Sequence, residues 1–159
     1  MGRVIKFRRA RMTGFVELKT DDEYCEAFHI LKELDGRLEY DRFLSAMHHE
    51  LSGNTKLFAI RHSGKIVSVA AVWFLMTGLS EKIFWIHAFV TTKEQRSKGF
   101  GNLLLSGLYG AAIESGCSEI RVHAHREKAI EFWTDKAGFT SFSKIFKKSD
   151  FAAHTALSK

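Results

Sequence analysis

The sequence predicts a mixed α/β domain, one sheet flanked by helices, and three observations point there. The chain has 159 residues, 45% of them hydrophobic, which is enough for one domain with a sizeable core. Segments of strand and helix periodicity follow one another in the order β-α-α-β-β-β-α-β-α-β. The run IFWIHAFV (83–90) is apolar on both faces and reads as an internal strand buried on both sides.

Each element has its own signal. Phe15–Lys19 reads as a short strand. Thr20, with Glu23 three residues on, is a capping box that opens a helix, DDEYCEAFHILKEL, with Phe28, Leu31 and Leu34 on one stripe. Gly36 ends it. A second helix over about residues 39–51 carries Phe43, Leu44, Met47 and Leu51 on its apolar face. After the Gly53-Asn54 turn, KLFAIRH and KIVSVAAVWFLM flank Ser63-Gly64 and read as a hairpin. The internal strand at 83–90 follows, then a helix to about Ser115 with Gly116 as its C-terminal cap. EIRVHAH is a fifth strand, REKAIEFWTDKA a fourth helix and FTSFSKIFKK a last strand. The organisation expected is a basic leader over 1–14, one domain over 15–148 and a tail over 149–159.

Composition narrows the class. An aromatic content of 13%, with 14 phenylalanines, excludes a disordered chain. No apolar run approaches the roughly 20 residues of a membrane helix, and the basic first residues contain no apolar stretch of signal-peptide length. Cys25 and Cys117 lie far apart without metal-ligand spacing, as reduced structural thiols do. A cytoplasmic protein is expected. Its formal charge of +6 is unevenly spread: residues 1–11 carry five basic groups and no acid, residues 20–51 are net −6, and residues 52–159 are net +7. One part should favour cations and the other anions.

Between the internal strand and the following helix stands RSKGFG (96–101). It is neither a Walker loop nor G-x-G-x-x-G. The physics is related, because backbone N–H groups at a helix start point outward unpaired and the helix dipole adds partial positive charge. Glycine allows a ligand close to the backbone, and Arg96 and Lys98 add charge. A pyrophosphate would fit; a solvated glycine turn is the other reading.

In its context R-x-x-G-x-G resembles the acetyl-CoA pyrophosphate loop of the GNAT N-acetyltransferase superfamily. FVTTKEQRSKGFGNLLLSGLYGAAIESGCSEIRVHA and AIEFWTDKAGF are similar to that superfamily's central strand, loop, helix, fifth strand and fourth helix. The similarity is specific over 83–139 and topological over the rest of 15–148. It implies the GNAT-like acyl-CoA N-acyltransferase fold. It also implies acetyl transfer from the co-substrate acetyl-CoA to an amine by direct attack, without a metal. Backbone groups of Phe89, Val90 and Thr91 would line the pantetheine, between a fourth and a fifth strand that splay apart. Arg96, Ser97, Lys98, Gly99, Phe100, Gly101 and Asn102 would hold the pyrophosphate. A backbone N–H near Phe89 would polarise the thioester carbonyl.

Three departures from the family pattern stand out. Arg126 occupies the start of the fourth helix, where an Asn is usual; an arginine there could meet a phosphate. The segment Phe132-Trp133-Thr134-Asp135-Lys136-Ala137-Gly138 is one residue longer than usual. It places Trp133 or Thr134 where many members have the tyrosine that protonates the leaving thiolate. Trp133 either faces the thiol region or belongs to the core. Where a close subgroup has acids in the fourth strand, this chain has His87-Ala88.

His87 shares a strand face with Ile83, Trp85 and Phe89. An imidazole with an ordinary pKa of about 6.5 suits deprotonation of an ammonium near neutral pH; a core histidine satisfied by a carbonyl is the alternative. His123 and His125 are second candidates. The first two helices hold many acids, including Asp21, Asp22, Glu23, Glu26, Asp35, Glu39 and Asp41, which either attract a protonated amine or form a solvated face. Three functions stand beside one another. One is N-acetylation of a small or protein amine. Another is a toxin-like transfer to aminoacyl-tRNA, suggested by the basic leader. The third is a non-catalytic CoA-binding module, suggested by the missing tyrosine. The partners implied are acetyl-CoA and an amine acceptor, with no membrane. Nucleic acid enters only through the tRNA reading, and a homodimer stays open.

Overall fold

A computed structural model of the chain describes residues 12–49, 54–124 and 126–141. Residues up to His123 belong to one compact unit and residues from Ala124 to another. The first contains β1 (Thr13–Leu18), α1 (Asp21–Leu34), α2 (Tyr40–His48), β2 (Thr55–His62), β3 (Lys65–Thr77), β4 (Glu81–Thr91), α3 (Phe100–Glu114) and β5 (Glu119–Val122). The five strands form one sheet in the order β1-β2-β3-β4-β5. Neighbours are antiparallel except β4 and β5, which run parallel.

Local chemistry accounts for the element ends. The Thr20 hydroxyl accepts the Glu23 N–H at 3.3 Å, and Glu23 Oε2 accepts the Lys19 and Thr20 N–H groups at 2.8 and 3.2 Å. Those bonds satisfy orphan donors at the start of α1 and hold the Glu23 carboxyl below its ordinary pKa, the Lys19 N–H contributing most. Ser63 and Gly64 both have positive φ, 51° and 84°, the twist that a two-residue hairpin between β2 and β3 requires.

One sheet face packs against α1 and α2. Leu57, Ala59, Val69, Ala71 and Val90 meet Phe28, Ile30, Leu31 and Phe43 in a single buried cluster. On the other side α3 packs across β1 to β4, over a file of rings in which Phe15 stacks on Phe58 at 5.4 Å and Phe58 on Phe84 at 6.1 Å. Gly107 of α3 admits the Phe15 ring; a Cβ there would stand 2.5 Å from Phe15 Cε2 and nearer still to two other ring atoms.

Some boundaries differ from those expected. β1 starts at Thr13, so the leader is shorter than 1–14. α2 closes at His48, where the His49 N–H caps onto the Ser45 carbonyl, and β5 closes at Val122. The last predicted strand from residue 142 onward, the tail and residues 1–11 lie outside the described residues.

The second unit holds α4 (Glu127–Glu131), which continues as a π-helical turn, Phe132–Lys136. The Ala137 N–H reaches the Phe132 carbonyl five residues back at 2.9 Å. A π turn accommodates one residue more than the α-helical repeat, and this one falls in the segment that is a residue longer than usual. Among the described residues no helix is long and apolar enough to cross a membrane.

Candidate active site

β4 hands the chain to α3 through a loop of unusual backbone shape. A single 3-10 turn, Lys93–Gln95, follows β4. Ser97 then adopts φ 61° and Gly99 φ 86°. Gly99 is the N-cap of α3 and offers no side-chain cap. The first i→i−4 bond of the helix runs from the Leu103 N–H to the Gly99 carbonyl at 3.0 Å. The N–H groups of Phe100, Gly101 and Asn102 therefore precede the helical ladder and point along the axis, where the dipole is positive. Left-handed residues just before such an end curl successive N–H groups into a concavity suited to an anion.

The basic side chains of this loop are used differently from expectation. Arg96 Nε donates to the Thr91 carbonyl at 3.1 Å, and Arg96 Nη2 reaches Glu33 Oε2 on α1 at 3.5 Å. Glu33 Oε2 also accepts the Lys93 N–H at 3.2 Å. The Arg96 N–H closes back on the Lys93 carbonyl at 3.5 Å. Arg96 thus braces the loop. Lys98 Nζ donates to Gln95 Oε1 at 3.0 Å. Ser68, fully buried, ties the end of β4 to β3: its hydroxyl donates to the Val90 carbonyl at 3.1 Å and lies 2.9 Å from Thr91 Oγ1. Neither Glu33 nor Ser68 was singled out from the sequence. Their partners lie 60 and 22 residues away, and no local pattern marks such a pair.

His87 occupies a β-bulge. The β3–β4 register runs Ala71↔Ala88 and then Val72↔Ile86, so His87 has no Cα partner in β3. A bulge breaks strict alternation and re-aims the extra side chain, which corrects the simple face Ile83, Trp85, His87, Phe89. The His87 ring lies on that of Trp73, centroids 4.2 Å apart and planes 26° apart. The parallel β4–β5 pairing ends at Ile86↔Val122. From His87 to Thr91 no strand pairs with that edge of β4 among the described residues. The pairing stops where β5 itself ends, at Val122, and Phe89, Val90 and Thr91 lie farther along β4.

Surrounding protein pushes the His87 imidazole down from 6.5 to about 4, desolvation being the cause. The residue as a whole is nevertheless exposed. The direction departs from the near-neutral value expected of an unperturbed histidine, and it leaves the ring neutral at pH 7. His123 is exposed just past β5, and His125 lies outside the described residues.

Several acids of the first two helices and their ends already have partners. Asp21 meets His48 at 2.6 Å, Glu23 and Glu26 share Arg61, Glu26 accepts the Ile66 N–H at 2.6 Å, Asp35 holds Arg37 and Glu39 holds Arg42. Glu33 is on Arg96. These pairs offset part of the charge that was expected to draw in a cation.

In the second unit, Arg126 is exposed and caps α4, its carbonyl accepting the Ala129 and Ile130 N–H groups. Trp133 is 5% exposed and meets Phe132 and Phe139 edge-on, at 5.1 and 5.0 Å. Thr134 is exposed and turns its hydroxyl back to the Ile130 carbonyl at 3.0 Å. The π turn sets Trp133 inward and Thr134 outward within this unit.

Residues 13–139 match the model of the acetyltransferase (GNAT) family. The chain is 28% identical over 140 residues to an uncharacterized N-acetyltransferase, YhdJ, of Bacillus subtilis, covering 86% of this chain and 99% of that one. Two solved structures share the fold. An acetyltransferase of Trypanosoma brucei superposes with a TM-score of 0.72 at 17% identity, covering 87% of this chain and 99% of its own. The aminoglycoside N-acetyltransferase AAC(6′)-Iy, solved in complex with CoA, superposes with a TM-score of 0.72 at 15% identity, covering 90% and 98%.

Proposed function

From the premise that this chain belongs to the GNAT acetyltransferase family and is a transferase, we propose that it moves the acetyl group of acetyl-CoA onto a primary amine by direct attack in a ternary complex. The observation that carries this reading is the loop between β4 and α3. There Ser97 and Gly99 turn left-handed and three unladdered N–H groups of α3 follow. That concavity suits the pyrophosphate of acetyl-CoA. The stretch of β4 beyond its pairing with β5, with Phe89, Val90 and Thr91, is the part that the family resemblance assigns to the pantetheine arm. Arg126 as a phosphate contact rests on the family resemblance alone, and Trp133, buried between Phe132 and Phe139, is a core residue of its unit. Two free, separated cysteines support a cytoplasmic setting.

In the reaction, the nitrogen lone pair of the neutral amine adds to the thioester carbonyl carbon. The C–N bond forms, the carbonyl electrons move to oxygen and then return, and the C–S bond breaks to release CoA thiolate. The nitrogen must lose one proton, and neutral His87, at the bulge, accepts it directly or through water. A base held near 4 takes little from a free ammonium. It can take a proton from nitrogen already bonded to the carbonyl carbon, which is far more acidic, and pass it to the thiolate. This assignment leaves the missing tyrosine without consequence.

The test is CoA release from acetyl-CoA across a panel of polyamines, amino sugars, arylalkylamines and peptide N-termini. Turnover with any of them supports the reading; CoA binding without turnover on any amine overturns it in favour of a binding module. Salt-sensitive tRNA binding with transfer to aminoacyl-tRNA alone would move the function to the tRNA reading. His87→Ala should lower kcat by about 10²–10⁴ while acetyl-CoA affinity holds. The acid side of the wild-type kcat/KM should follow deprotonation of the amine itself, and any further limb from His87 should lie well below pH 6. A folded variant turning over at the wild-type rate would remove His87 from the mechanism.

A further inference from the structure

Trp73 is the one exposed residue inside the long buried stretch of β3. Residues Ile66–Val72 before it and Phe74 after it are all buried, whereas Trp73 keeps 43% of its surface open. An indole is costly to leave in water when a sheet core is at hand. One face of the ring is occupied by His87, at 4.2 Å. Directly across the ladders stand Trp85 on β4 and Thr55 on β2. Ala71 and Leu75, two residues away along β3, share its side of the sheet. None of these immediate neighbours carries a carboxylate. Across the β4–β5 ladder Trp85 faces Arg121, whose guanidinium is held by Glu119 at 2.8 and 3.2 Å. This patch therefore offers ring surface with its nearest carboxylate on β5 already in an ion pair, and it adjoins the bulge where acetyl transfer is placed.

We propose that Trp73, with Trp85 and His87, forms the acceptor platform, and that the acceptor carries its amine on a flat aromatic group that stacks there. This rests on the acetyltransferase reading and makes Trp73 the residue that selects the substrate class. A polycation would find the adjoining carboxylate, Glu119, already held by Arg121, so a polyamine should be a poor acceptor. A flat ring gains offset stacking on the indole and leaves its short aminoalkyl arm to reach the thioester. The acidic helices lose the role in acceptor choice that their composition suggests.

Phenethylamine and spermidine serve as probes, measured with CoA-loaded protein by calorimetry and with acetyl-CoA by turnover. Phenethylamine should bind and be acetylated with a kcat/KM at least about tenfold above that of spermidine, a margin that one good stacking contact supplies. Trp73→Ala should raise the phenethylamine KM by about tenfold, with the acetyl-CoA dissociation constant unchanged, whereas Trp73→Phe should restore most of the loss. If spermidine or an amino sugar is acetylated and phenethylamine neither binds nor reacts, the platform is refuted and the acetyltransferase reading stands. If phenethylamine binds in a Trp73-dependent way but no amine is acetylated, the reaction is refuted and the platform stands. Should Trp73→Ala fail to fold, Trp73→Phe together with phenethylamine calorimetry on the unaltered protein decides the same point.

Discussion

Gly99→Val isolates the conformational requirement of the loop proposed to hold the pyrophosphate. Gly99 holds φ 86° and ψ 0° at the N-cap of α3, and a Cβ built there meets no atom within 4 Å. The whole cost of a side chain is therefore torsional. A left-handed conformation costs an L-residue about 1–2 kcal/mol, and a β-branched one sits at the upper end or beyond. Arg96–Gly99 are exposed, so the free protein can relax this turn to negative φ with little loss of stability. Relaxation swings the N–H groups that follow out of their concavity, and a bound pyrophosphate must restore them. The strain then appears in binding, as a roughly 5- to 30-fold weaker affinity. Calorimetry with CoA, beside thermal melting, measures both quantities. Gly110→Ala is the control: the site is helical, open, and away from the loop. It should raise stability by up to about 1 kcal/mol and leave affinity alone. A folded Gly99→Val protein with wild-type affinity would refute the reasoning, as would an equal loss in the control.

Other expectations concern the groups around the site. Glu33→Ala removes the acceptor for the Lys93 N–H and for Arg96; the acetyl-CoA KM should rise about fivefold, the worth of roughly one hydrogen bond, with kcat little altered, and an unchanged KM would show that Arg96 and Thr91 suffice. His87 is held near 4 when folded against about 6.5 when free, so its neutral form contributes stability above pH 6.5 that is lost as pH falls toward 4. The drop in Tm between pH 7 and pH 4.5 should be smaller in His87→Gln than in the wild type, and equal drops would count against the desolvated ring. Gly107→Ala drives a methyl into the Phe15 ring; overpacking of about 1–3 kcal/mol, less about 1 kcal/mol of helix propensity, should lower stability by up to about 2 kcal/mol. Phe15→Leu in the same chain should recover it, and a stabilised single variant would show that the ring moves freely.

What a few neighbouring residues decide was legible in the sequence. Thr20 and Glu23 announce α1 because a capping box closes within four residues. Ser63-Gly64 announces the β2–β3 turn because two positive φ values suffice to reverse a chain. RSKGFG marks the tight turn into α3, because Gly99 takes the positive φ that the turn requires. The segment from Phe132 to Gly138 showed a surplus residue but not that a π turn absorbs it, turning Trp133 inward and Thr134 outward. Everything that depended on register or on distant pairing waited for the tertiary structure. His87 became the bulged residue only when β4 was laid against β3, since a bulge is a mismatch between two strands and neither strand shows it alone. Glu33 and Arg96 meet across 63 residues, and Glu23 and Glu26 of α1 meet Arg61 of β2 across 38 and 35. The lowered pKa of His87 belongs to the same class: desolvation is a property of the atoms packed around a ring, and those atoms come from strands that are distant in the chain.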